Sequence, residues 1–173
     1  NNPYACYSML NKTYLAQAMP PLYFMKCSEV FFLMAEGALR GWNMNGTPQQ
    51  FYEQGIRYAA LEARTTMNNE YNQLVDEYLN VEAPKGIAYV DPQGLTPDMP
   101  SVTKIGVKWN ESDSKEIKLE KIITQKYIAS FPYSYESWVD LRRVGYPKLF
   151  PILGTRHGDG SIKLGKSNVQ TAV

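Results

Sequence analysis

Histidine is almost missing from this sequence of 173 residues, where His157 stands alone. A single imidazole excludes most zinc sites and any chemistry that passes a proton between two histidines. His157 also has no serine or cysteine partner close in sequence, so it is not read as a catalytic base. Cysteine is nearly as scarce. Cys6 and Cys27 are too few for a disulfide framework and are read as two buried thiols. No run of about 18 apolar residues occurs, which excludes a membrane-spanning helix of ordinary length. Charge of one sign is lacking too. The formal net charge is +1, so no broad field draws nucleic acid or an anionic membrane to the surface. The opening Asn1-Asn2-Pro3-Tyr4 has neither the basic nor the apolar region of a signal peptide. The stretch Gly154–Gly160 has no preceding strand and no Lys-Ser/Thr pair, which argues against a phosphate-binding loop.

Apolar residues are plentiful. At 44% hydrophobic and 20% charged residues, the chain can build a packed core of one ordinary domain. Aromatics reach 13%, with 13 tyrosines and three tryptophans. Rings with a polar edge suit wet binding surfaces as well as cores.

Apolar spacing predicts an all-α chain. Residues 1–20 read as an irregular entry segment. After Pro20-Pro21, residues 22–42 carry apolar side chains at helical spacing, with Phe24, Cys27, Phe31, Met34, Ala35 and Ala38 on one broad face and Gly41 as the stop. Thr47-Pro48-Gln49-Gln50 reads as a capped start for a second helix to about Arg64. A third helix is expected over about 69–80, with Tyr71, Leu74, Val75 and Tyr78 facing in. Prolines 84, 92, 97 and 100 and glycines 86, 94 and 106 then forbid a long helix over 81–113. Brief alternation over 102–109 suggests a short extended piece. Helix returns over about 114–130, with its charges outward, and over 134–144, with Trp138, Val139 and Leu141 inward. The expected architecture is therefore TPR-like: antiparallel helix pairs at about 22–64 and 114–144, separated by a long irregular insert.

Three stretches carry a family resemblance. The first is Ser28-Glu29-Val30-Phe31-Phe32-Leu33-Met34-Ala35-Glu36-Gly37-Ala38-Leu39-Arg40-Gly41-Trp42. The second is Phe51-Tyr52-Glu53-Gln54-Gly55-Ile56. The third is Lys118-Leu119-Glu120-Lys121-Ile122-Ile123-Thr124-Gln125-Lys126-Tyr127-Ile128-Ala129, then Glu136-Ser137-Trp138-Val139-Asp140-Leu141-Arg142-Arg143-Val144-Gly145-Tyr146-Pro147-Lys148-Leu149. In this order and spacing they resemble the SusD-like (SusD/RagB) family, and the chain is similar to its C-terminal portion. The resemblance implies a helical, non-catalytic, lipid-anchored protein on the outer membrane. Such a protein captures oligosaccharides or peptides for a TonB-dependent SusC-like transporter and uses no cofactor. Residues 154–173 depart from the family's closing segment.

Candidate ligand residues are aromatics in loops or at helix edges, where a ring can stack on a sugar: Trp109, Tyr89, Tyr133 and Tyr135. Trp42 and Trp138 are expected in the core. Glu29 with Glu36, and Glu136 with Asp140, could be imagined as catalytic carboxylates. Glu36 with Arg40 reads better as an i,i+4 ion pair, and an arginine at 142 or 143 is expected to hold Asp140. A TPR-type adaptor for peptides is the rival to glycan capture. The discriminating feature is what lies on the concave helix face and in the insert.

Overall fold

A computed structural model describes residues 23–63, 69–132, 135–152 and 163–165. The entry segment, Cys6, Tyr133 and His157 lie outside the described residues. Five helices occur among those described: α1 (Cys27–Leu39), α2 (Pro48–Glu62), α3 (Asn69–Leu79), α4 (Lys115–Ser130) and α5 (Tyr135–Val144). The fold is all-α and TPR-like.

Three helix ends have a clear local cause. At α2, Thr47 Oγ1 accepts from Gln50 N–H at 3.2 Å, and Gln50 Oε1 accepts from Thr47 N–H at 3.0 Å. This reciprocal cap satisfies two N–H groups that the first turn cannot. Thr47→Ala is expected to lower stability by about 1 kcal/mol in urea denaturation. Ser114 caps α4 through Ile117 N–H. Beyond α1, Gly41 adopts φ 90°, and Trp42 N–H returns to the Gly37 carbonyl. Glycine alone enters that conformation without strain.

Helix α1 packs broadly on α2 and also on α4, while α2 touches α3. The core gathers Phe32, Ala35, Tyr52, Ile56, Val75, Leu79, Val107, Trp109 and Ile122. Gly55 lets α1 approach α2: a Cβ there would lie 2.7 Å from the Phe32 ring.

The buried face of α1 is rotated from the one expected. It consists of Ser28, Phe32, Ala35, Glu36 and Gly37, while Cys27 is exposed and Phe24 is 96% exposed. The cause is polar pairing. Ser28 gives its N–H and hydroxyl to Glu62, and Glu36 meets Arg40 and Arg143. These partners draw polar side chains inward, a choice that apolar periodicity does not register. In α3, Val75 and Leu79 are buried, but Leu74 and Tyr78 reach the surface. In α4, Lys121 and Lys126 are buried rather than outward. In α5 the buried residues are Ser137 and Asp140, whereas Trp138 and Val139 face out.

The insert is ordered by a closed neck. The Val81 carbonyl accepts from both Val107 N–H (2.8 Å) and Lys108 N–H (2.9 Å). Gly106 is required there, because a Cβ would meet the Glu82 carbonyl oxygen at 2.0 Å. The described residues contain no strand over 102–109, since one carbonyl takes both donors and no ladder follows. Further out, Tyr89 and Met99 exchange backbone hydrogen bonds. Asp91 gathers the tip: its carboxylate accepts from the N–H groups of Gln93, Leu95 and Thr96 and from the Thr96 hydroxyl.

Candidate functional site

The four aromatic candidates are not brought together. Trp109 sits in the core at 6% exposure, tilted against Tyr52 with ring centroids 5.2 Å apart. Tyr52 donates its hydroxyl to the Val107 carbonyl at 2.7 Å, which fixes the chain just before Trp109. The indole N–H donates to Glu111 at 2.9 Å, and Lys118 lies 5.6 Å over the ring while donating to the same carboxylate. The Lys118 ammonium and the indole N–H hold the Glu111 carboxyl below its usual range. Buried, with Tyr52 packed against it and the Lys118 ammonium over its ring, this indole offers no stacking platform. That departs from its expected place at an exposed sugar site.

Two polar hollows, about 440 and 410 Å³, meet at Lys108 and Trp109. Glu82, Asn110 and Asp113 line the first; Gln49, Glu53, Arg57 and Asp76 line the second. Most of these charges are paired, as in Lys108–Glu82, Lys121–Asp113 and Arg57–Asp76. The hollows present donors and acceptors side by side, the mixture that hydroxylated ligands need.

Tyr89 is half-buried near the insert's bridge, with its ring 6.1 Å from that of Phe150. Tyr135 opens α5 at 78% exposure. Trp138, expected in the core, is 50% exposed one turn further along the same helix. Residues 135, 138, 139 and 142 fall on one face at spacings of three and four, the outward face. Trp42 is exposed as well. Both tryptophans sit in helix or helix-end contexts within the family motifs, which is why the core is expected for them, and the polar anchoring of the opposite face turns Trp138 outward.

Of the carboxylates considered for catalysis, Glu36 and Asp140 are neutralised by paired cations, Glu29 lies 3.6 Å from the Lys126 ammonium, and Glu136 is exposed. Glu36 accepts from Arg143 at 2.5 and 2.8 Å and from Arg40 at 2.7 and 2.8 Å. Burial pulls its carboxyl upward, but the two guanidiniums outweigh that and hold it below the usual range. The stability that Glu36 contributes is therefore present above the unfolded carboxyl range and is lost as pH falls. Asp140 pairs with Lys126 at 2.9 Å and with Arg143 at 2.8 Å. Arg143 thus holds Asp140, as the sequence suggested, and the Glu36–Arg40 pair forms, but both belong to a larger network of buried carboxylates and half-exposed arginines.

A third hollow, about 610 Å³, lies among α1, α2, α3 and α4 and is mainly apolar. Phe32, Ile56, Leu74, Ile128 and Phe131 line it. Its polar edges are engaged: Tyr78 donates to Gln125, and Lys26 to the Ala129 carbonyl. Burial raises the Tyr78 phenol, so it stays a neutral donor. This groove was not legible as a site, because its lining is drawn from four helices.

The family model for "Susd and RagB outer membrane lipoprotein" matches residues 1–169. The chain belongs to the SusD-like family. Among solved structures it is similar to a chitin-binding SusD homolog from Flavobacterium johnsoniae, with 42% identity and a TM-score of 0.71. That match covers 83% of this chain and 28% of the other. A SusD homolog from Bacteroides uniformis matches at 42% identity and TM-score 0.72, covering 84% and 29%. A SusD-like protein from Bacteroides thetaiotaomicron matches at 33% identity and TM-score 0.69, covering 87% and 30%. No curated protein matches. The SusD-like chain described here spans under a third of the length of these relatives. None of its described helices is long and apolar enough to cross a membrane.

Proposed function

We propose that this SusD-like chain is part of a non-catalytic glycan-binding protein of the outer membrane surface. In this reading the whole protein is lipid-anchored and passes oligosaccharides to a SusC-like TonB-dependent transporter. The observation that carries it is family membership together with 42% identity to a chitin-binding homolog. The pairing of Glu36 and Asp140 with arginine and lysine supports binding over hydrolysis, since neither is left as a free acid or nucleophile. Tyr135 is the exposed ring best placed to stack on a pyranose. Trp138 beside it extends the platform, and Tyr89 adds a half-buried edge near the insert.

Isothermal titration with chitin oligosaccharides, then with other soluble glycans, tests this reading. Saturable binding is expected for at least one glycan, with Tyr135→Ala weakening it about tenfold, the loss of roughly one stacking contact. Binding that Tyr135→Ala leaves intact would move the platform away from α5. Absence of binding to every glycan would sink the reading for this chain. The apolar groove favours a second reading in that case: an adaptor that takes a peptide's apolar side chains among α1, α2, α3 and α4.

A further inference from the structure

Helix α5 is built inside out. Its buried residues are polar, Ser137 and Asp140, and its apolar Trp138 and Val139 face solvent. Leu141 and Val144 are only half-buried. Among the described helices α5 packs on α4 alone. What fastens it is a line of polar contacts. The Ser137 and Ser130 hydroxyls lie 2.6 Å apart. Asp140 meets Lys126 of α4, and Lys126 faces Glu29 of α1 at 3.6 Å. Arg143 reaches across to Glu36 of α1 with two hydrogen bonds, and Arg40 closes the line from the far side.

A helix attached this way has little apolar burial to hold it, and local opening energies scale with such burial. The arginine that ties it to α1 is also over a third exposed, at 37%, so water reaches that tie. We propose that α5 is a strap that opens as a unit ahead of α1, α2 and α4, with the Arg143 link to Glu36 as its latch. Opening hydrates Asp140, Lys126 and Arg143, groups that water solvates well, whereas opening α1 from α2 would expose Phe32 and Tyr52. The two events therefore differ in cost, and α5 goes first. Tyr135 and Trp138 ride on the strap. If the glycan reading holds, the latch sets where that platform stands; the latch itself does not depend on that reading.

Native-state amide hydrogen exchange on the 173-residue chain tests the strap without any glycan. In the unmodified protein, amides 139–144 should exchange at least tenfold faster than those of residues 32–39 in α1. Arg143→Gln, which keeps helix propensity and removes the charge, should speed α5 about tenfold further and leave α1 and α2 unchanged. Exchange of α5 in step with α1 in the unmodified protein would overturn the strap. So would an Arg143→Gln variant that accelerates all helices together or leaves α5 untouched.

Discussion

Trp109→Ala is expected to destabilise the chain by about 3–5 kcal/mol, the usual cost of emptying a large aromatic site in a core. The indole lies against Tyr52 and belongs to the same buried cluster as Phe32, Ile122 and Val107. Its removal leaves a cavity bounded by the insert's neck on one side and α2 on the other. It also strips Glu111 of the indole N–H and leaves Lys118 without a ring beneath it. Urea denaturation followed by circular dichroism measures the loss. A change under about 1 kcal/mol would mean that the ring is not packed as described. The result also bears on binding experiments. A Trp109→Ala protein that no longer binds a glycan would say little about contact, because the scaffold itself is altered. Tyr135→Ala is free of that problem, since its ring touches water.

Asp140→Leu is expected to cost about 3 kcal/mol, because it leaves the Lys126 ammonium buried without its near partner. Both side chains are 7% exposed, and the next carboxylate, Glu29, stands at 3.6 Å from the ammonium. Lys126→Met alone should cost less, since Asp140 keeps Arg143. The double variant should recover most of the stability that Asp140→Leu loses, for a buried ion pair is often no better than a well-packed apolar pair. Urea denaturation of the four proteins closes the cycle. Strict additivity of the two single effects would show that the pair is not coupled.

Much of the architecture was legible. Capping chemistry at Thr47-Pro48-Gln49-Gln50 and the proline spacing of the insert point to elements whose ends agree with the structure within a few residues. What failed was the choice of face. Apolar periodicity places Phe24 and Cys27 inward on α1 and Trp138 inward on α5, yet the structure turns Ser28, Glu36 and Asp140 inward instead. A buried polar group is favoured only when its partner arrives, and Glu62 for Ser28, Arg143 for Glu36 and Lys126 for Asp140 all lie on other helices. No local window contains both halves of such a pair. The same reason hid the fate of Trp109. Its contacts with Tyr52 and Lys118 join three separate segments, so a tryptophan in a proline-rich stretch reads as a loop ring. The i,i+4 pair Glu36–Arg40 and the i,i+3 pair Asp140–Arg143 were accessible, because both partners share one helix.

The closed neck of the insert has a consequence for how such chains diversify. One carbonyl at Val81 and one side-chain-free position at Gly106 join the two ends before any of the intervening chain is reached. The core therefore senses the seam and not the sequence beyond it. Residues between the seam's two ends can lengthen, shorten or change chemistry while entering and leaving the scaffold at the same place. A lineage can thus exchange the outer loop as a cassette, trying new surfaces against one unchanging helical frame.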